Sequence, residues 1–162
     1  MDTIVVGMAD LNVTRSPGKL MTLGLGSCVG VIIYDQMNKV GGMAHVMLPS
    51  CPPGSDPKNK AKFADTAIDE LTRSIIALGA KKSNLKAKLA GGAHMFSTSS
   101  QTDIMQIGAR NVDMCRKLLT SSGIPLVSED TGGTCGRTIT FDVNTCSLQV
   151  RSIWPEIREK DI

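Results

Sequence analysis

Residues 28–48, CVGVIIYDQMNKVGGMAHVML, hold two short apolar runs separated by a polar stretch. The first run, 28–34, is rich in β-branched residues and too short for a typical helix, which favours a buried strand. The second run, 39–48, predicts another strand, and the residues between the two have the composition of a hairpin loop. We therefore expect the two strands to pair, which would bring Cys28 and His45 close together.

Outward from this hairpin, the chain combines further β-prone runs with two helical patterns. Apolar residues that recur at three- and four-residue steps predict helices over 61–78 and 107–121. Because strands outnumber helices, we expect a mixed α/β fold in one domain over residues 1–162, with the charged residues 154–162 as a frayed tail. The remaining strands are predicted over 3–8, 19–25, 86–91, 124–130, 137–143 and 147–153.

The composition excludes several classes of protein. A net charge of +3, without a basic block or a run of aromatic residues, argues against a nucleic-acid partner. No segment approaches the ~20 apolar residues that a membrane-spanning helix needs, and the first residues lack the pattern of a signal peptide. The five cysteines are widely spaced and odd in number, unlike those of a disulfide scaffold. We expect a cytoplasmic protein that is not embedded in a membrane.

Nucleotide and metal sites are also not indicated. The stretch GLGS at 24–27 is similar to a phosphate-binding loop, but Val29 stands where the dinucleotide fingerprint needs its third glycine. An apolar strand follows, where the fingerprint needs a helix. The two histidines and five cysteines show none of the spacings of a zinc site. We therefore expect neither a metal ion nor a cofactor.

Cys28 is the candidate nucleophile. It follows a glycine-rich turn, where the backbone N–H groups at Gly26 and Ser27 could receive a developing oxyanion. A cysteine nucleophile needs a base that takes its proton, and His45 is the candidate on the paired strand. The residues alone leave a second interpretation open, in which both side chains only fill the core, since free cysteine is among the most buried residue types.

Two further residues are weaker candidates. Thr22 precedes Cys28 by six residues, and its hydroxyl could orient an imidazole, although the residues alone favour a plain strand threonine. His94 follows a glycine-rich turn and is a second candidate base, ranked below His45.

Several segments, in the same order along the chain, closely resemble the CheD family of chemoreceptor glutamine deamidases. The longest match joins TLGLGSCVGV at 22–31 to GMAHVMLP at 42–49. Together the matches span about residues 20 to 133. The similarity continues through 62–67, 90–96, 107–112 and 129–133.

The resemblance implies a compact α/β domain with packed β-sheets and flanking helices, related to toxin-type cysteine deamidases. It implies an enzyme that converts receptor glutamines to glutamates with release of ammonia, through a Cys–His thioester mechanism, in chemotaxis. The family's nucleophile falls on Cys28, its histidine on His45 and its orienting threonine on Thr22. The implied partners are the cytoplasmic helices of chemoreceptors and a CheC-type phosphatase.

Two other functions remain open at this point. The chain could act mainly as a binding partner and regulator of the CheC phosphatase. It could also be a thiol redox sensor that uses Cys28, which predicts a lowered pKa for that thiol and no release of ammonia.

Overall fold

A computed structural model describes residues 2–55, 57–94, 106–153 and 157–162. Two α-helices, α1 (Ala64–Ala77) and α2 (Ile107–Ser121), accompany ten strands in this part of the chain. In chain order the strands are β1 (Thr3–Val5), β2 (Leu11–Arg15), β3 (Lys19–Leu25), β4 (Val29–Asp35), β5 (Val40–Val46), β6 (Leu85–Gly91), β7 (Leu126–Thr131), β8 (Arg137–Asp142), β9 (Ser147–Ser152) and β10 (Arg158–Asp161).

The strands form two five-stranded sheets. The central sheet has the order β2-β5-β4-β6-β7, and the outer sheet has the order β1-β3-β8-β9-β10. The predicted hairpin lies in the middle of the central sheet, where β4 and β5 pair antiparallel and Gly30 faces His45. The pairing expected from the sequence is therefore confirmed, and so is the mixed α/β fold.

The central sheet is covered on both faces, so every residue of β4 and β5 is buried. Successive side chains of a strand point to opposite faces. Accordingly, Val31 and Ile33 of β4 pack with residues of α1 and α2, such as Leu71 and Cys115. The side chain of Ile32 lies in the other apolar cluster, which fills the space between the two sheets. The molecule thus has three layers, namely helices, central sheet and outer sheet.

The apolar cluster between the sheets is built mainly from aliphatic side chains. Its outer-sheet members are Leu20, Leu25, Ile139, Phe141, Leu148 and Val150. Glycines in the central sheet let the two layers approach, since a Cβ on Gly30 would lie 2.4 Å from the Cδ1 atom of Ile139. The part of the central sheet around Gly30 therefore packs directly against the outer sheet.

Most predicted elements are present, with ends that differ by a few residues. Helix α2 has the predicted bounds, whereas the first helix begins at Ala64 because residues 60–62 form a separate 3₁₀ turn. The sequence patterns missed two strands, β2 and β10. No helix among the described residues is long and apolar enough to cross a membrane.

The prediction of a frayed tail over 154–162 is wrong for residues 158–161. These residues pair antiparallel with β9 as strand β10. All four are exposed, as charged side chains can be on an edge strand. Ion pairs also hold the strand, because Lys160 Nζ lies 2.8 Å from Asp130 Oδ1 and Glu159 Oε1 lies 3.6 Å from Arg151 Nε. Residues 154–156 lie outside the described residues.

Candidate active site

Thr22 and His45 meet across the two sheets. Thr22 lies on β3 of the outer sheet and His45 on β5 of the central sheet, with exposed fractions of 0% and 1%. Thr22 Oγ1 lies 2.7 Å from His45 Nδ1, and the same hydroxyl donates to the carbonyl of Val6 at 2.7 Å. Because a hydroxyl has one proton, which goes to Val6, its oxygen accepts from Nδ1–H. Neutral His45 therefore carries its proton on Nδ1 and a lone pair on Nε2.

The Nε2 atom of His45 is buried and has no hydrogen-bond partner among the described residues. Burial also lowers the pKa of the imidazole, since loss of water disfavours its charged form. The ring is thus held neutral with an unpaired base at Nε2. Because buried polar atoms are almost always paired, an unpaired lone pair here points to a role in binding or proton transfer.

Cys28 lies in the turn between β3 and β4, one residue before β4 begins. Its side chain is partly buried and packs against the apolar cluster between the sheets. His45 projects into that same space, where it reaches Thr22. Gly30, two residues after Cys28 on β4, pairs with His45 and has no side chain. The structure thus brings Cys28, His45 and Thr22 to the same side of the central sheet.

The environment of the thiol does not favour a resting thiolate. Burial raises the pKa of the Cys28 thiol, and the N–H of Cys28 itself lowers it by a smaller amount. A cysteine in this state needs a base that removes its proton during the reaction. The raised pKa is also the opposite of what the redox-sensor interpretation predicts.

The turn 26–28 is held by its carbonyl groups. Among the described residues, no oxygen accepts a hydrogen bond from the N–H groups of Gly26 or Ser27. These two groups, predicted as oxyanion donors, are therefore not engaged elsewhere in the described structure. The three successive carbonyl oxygens of the turn accept from Ala93 N at 2.8 Å, Asn111 Nδ2 at 3.0 Å and Gly92 N at 2.8 Å.

Gly91 packs against this turn so closely that a side chain there has no room. Its φ is +113°, and an added Cβ would lie 2.3 Å from the carbonyl oxygen of Cys28, a backbone atom that cannot rotate away. We expect Gly91→Ala to lower the free energy of unfolding by about 2–4 kcal/mol, from backbone strain plus the collision. Denaturant titration measures the change.

Gly79→Ala is the matched control for this substitution. Gly79 has a similar φ of +122°, but no atom lies within 4 Å of its added Cβ. It therefore reports the cost of strain without the collision. Equal losses for the two variants would show that the contact with Cys28 contributes nothing.

The structure places His94, the second candidate base, in a different setting. Its N–H donates to the carbonyl of Gly133 at 2.8 Å, and it lines a cavity of about 310 Å³ beside α2 together with Arg116 and Thr131. Among the described residues, the Thr22 hydroxyl contacts the imidazole of His45. The ranking of His45 above His94 stays a prediction.

Sequence reasoning missed two buried polar residues next to the turn. The Arg137 guanidinium pairs with Asp130 and donates to the carbonyls of Gly132 and of Gly91, the glycine that packs on Cys28. The Asn111 side chain donates to the turn itself. A signal for Asn111 was available, since it lies four residues before Cys115, on the apolar stripe of α2.

Comparison with known proteins gives a matching family model and matching relatives. The family model for CheD chemotactic sensory transduction matches residues 47–152. The chain is 52% identical over 153 residues to the chemoreceptor glutamine deamidase CheD of Halalkalibacterium halodurans, covering 94% of both. It is 53% identical to the probable chemoreceptor glutamine deamidase CheD of Desulfitobacterium hafniense, again covering 94% of both. A solved structure of a Neisseria meningitidis protein covers 81% of this chain and 64% of its own, with 12% identity and a TM-score of 0.48.

Proposed function

The chain belongs to the CheD family, and we propose that it is a chemoreceptor glutamine deamidase, as its relatives are named. In this reaction a glutamine side chain of the receptor and one water become glutamate and ammonia. One observation carries the proposal. The bond from His45 Nδ1 to Thr22 leaves Nε2 as an unpaired, buried base on the side of the central sheet where Cys28 lies.

The first half of the reaction forms a thioester. His45 Nε2 takes the proton of the Cys28 thiol, and the sulfur attacks the carboxamide carbon of the substrate. The N–H groups of Gly26 and Ser27 donate to the oxyanion that develops on the carboxamide oxygen, where each such donor is typically worth about 3–4 kcal/mol. The carbon–nitrogen bond then breaks, and the leaving nitrogen takes the proton from His45 and departs as ammonia.

The second half of the reaction returns the enzyme to its starting state. His45, neutral again, takes a proton from water as the water oxygen attacks the thioester carbon. The carbon–sulfur bond breaks, and the proton held by His45 returns to the Cys28 sulfur. The product is a receptor glutamate, which carries one more negative charge than glutamine and so changes repulsion between neighbouring charges on a helix.

The surroundings of the Cys28 thiol and the His45 imidazole favour proton transfer during turnover and not at rest. The raised pKa of the Cys28 thiol and the lowered pKa of the His45 imidazole both favour the neutral pair at rest. Proton transfer within this pair is therefore expected to accompany attack on the substrate rather than precede it. A resting thiol is also less exposed to oxidation than a thiolate.

Thr22→Val is expected to lower kcat by about 10- to 100-fold, because a misplaced catalytic group costs rate although no reacting atom is lost. Valine keeps the shape of threonine but removes the hydroxyl that fixes Nδ1–H of His45. Thr22→Ser keeps the hydroxyl and should recover most of the rate. Initial rates of deamidation measure both variants, and a wild-type rate for Thr22→Val would remove Thr22 from the site.

Mass spectrometry of a cytoplasmic receptor fragment tests the proposed function directly. The fragment, from the same organism, is incubated with the wild-type protein, digested and searched for amide-to-acid conversion at glutamines. Conversion at defined positions supports the deamidase. No conversion of a well-folded fragment would contradict it and favour the alternative, a regulator of a CheC-type phosphatase, for which a binding assay is the next measurement.

A further inference from the structure

Asn111 links the segment that carries the nucleophile to the segment that carries the base. It lies on α2 and is fully buried. Its Nδ2 atom donates to the carbonyl of Ser27 and to the carbonyl of Met47, each at 3.0 Å. Ser27 directly precedes Cys28, and Met47 follows His45 by two residues. One amide group therefore touches both segments.

Asn111 joins the two segments just beyond the point where the pairing of β4 with β5 ends. The last pair in the β4–β5 ladder is Val29 with Val46. Cys28 and Met47 would form the next pair, but they lie beyond the ends of the two strands. The Asn111 amide bridges the two segments at this step through the carbonyls of Ser27 and Met47.

Packing alone explains the amide poorly. Both Nδ2 protons are used, so the amide cannot be turned around without setting Oδ1 against two carbonyl oxygens. In the described structure Oδ1 is left buried without a hydrogen-bond partner. Such an unpaired atom is costly, and an apolar residue of similar volume would avoid the cost. The two carbonyls that the amide holds give a direct reason for its presence.

We propose that Asn111 is a positioning residue, which keeps the Cys28 thiol at the working distance from His45. The inference rests on the proposed function, because it assigns Asn111 to the same Cys–His reaction. Asn111 itself touches no reacting atom. Its effect passes through the backbone of the turn 26–28 to Cys28, and through Met47 to the strand of His45.

Asn111→Leu tests the positioning role because leucine keeps the volume and removes both donors. We expect kcat for the receptor fragment to fall about 10- to 100-fold, the loss that a small displacement of a reacting group produces, with KM little changed. A second readout is the rate at which iodoacetamide alkylates Cys28, followed by mass spectrometry of its peptide against pH. Because a displaced Nε2 accepts the thiol proton less readily as the sulfur attacks, alkylation at the lower pH values should slow and this profile should move to higher pH.

Cys115→Ala is the matched control, since Cys115 is buried one turn further along the same stripe, in the core between α2 and the central sheet. It should lower Tm while leaving kcat and the alkylation profile of the folded protein unchanged. Wild-type kcat and profile for Asn111→Leu, or losses no larger than those of Cys115→Ala at equal folded fraction, would overturn the proposal. If Asn111→Leu does not fold, Asn111→Ala is measured with the same readouts.

The two readouts separate this inference from the proposed function. A wild-type protein that deamidates no receptor glutamine contradicts the proposed function. The alkylation profile of Cys28 requires no receptor, so it still reports whether Asn111 sets the relation of the thiol to His45. An unchanged profile in an active Asn111→Leu enzyme contradicts the positioning role alone.

Discussion

Cys28→Ala is expected to abolish deamidation of the receptor fragment while the protein stays folded. Without the sulfur no thioester can form, and loss of a nucleophile costs about 10⁴-fold or more in kcat. The fold should tolerate the change because the thiol is only partly buried and the turn is held through its backbone carbonyls. Peptide mass spectrometry measures the remaining conversion, and thermal unfolding confirms the folded state.

Cys51→Ala is the matched control for the nucleophile. Cys51 is another partly buried cysteine, on the loop before α1, where its backbone N–H donates to the carboxylate of Asp65. Its thiol has no place in the proposed reaction, so the control should deamidate at the wild-type rate. Conversion by Cys28→Ala at more than about one hundredth of the wild-type rate would rule out the thioester mechanism, because a missing nucleophile leaves far less activity.

The central hairpin was predictable because its signal is local. A β-branched run, a polar turn and a second apolar run specify β4 and β5 through composition and length, without knowledge of the rest of the chain. The helix α2 was predictable for the same reason, from apolar residues at helical spacing. Strands β2 and β10 were not, because both lie at sheet edges, where one side of the strand needs no apolar neighbour and a charged or mixed sequence is tolerated.

The pairing of Thr22 with His45 could not be derived from the residues alone. The two side chains belong to different sheets, and their contact depends on how the sheets stack. Spacing along the chain from Thr22 to Cys28 is also misleading, because the ladder of β3 shifts register between Thr22 and Leu25, where Gly24 has a φ of +67°. The residues alone left Thr22 a weak candidate, and the resemblance to CheD proteins gave it the orienting role.

The roles of Asn111 and Arg137 could not be predicted from the sequence, for a related reason. Both act on backbone carbonyls of residues distant in sequence, and a carbonyl leaves no mark in the amino-acid sequence. A polar residue within an apolar helical stripe indicates that something buried must be satisfied, but not what. The support around a site is therefore harder to find from sequence than its reacting groups.

His45→Asn is expected to lower kcat by about 10²- to 10⁴-fold, the contribution that a general acid–base group makes. The asparagine amide can still donate to Thr22, so the link between the sheets is kept, but no base remains in place of Nε2. His94→Asn is the matched control, because His94 lies beside α2 with its N–H on the Gly133 carbonyl. Deamidation assays should show the loss for His45 alone, and a loss confined to His94→Asn would reverse the assignment.

The pH dependence of the wild-type rate and stability is a further test of His45 as the base. Only neutral His45 can take the thiol proton, and burial lowers the pKa of its imidazole below the usual value of about 6.5. The rate should therefore persist below pH 6.5 and fall when the buried ring becomes protonated.

Because the unfolded chain binds this proton more readily, the free energy of unfolding should also fall as the pH drops below about 6.5. His45→Asn should weaken that slope in denaturant titrations, and an unchanged slope would show that the buried imidazole is not its source.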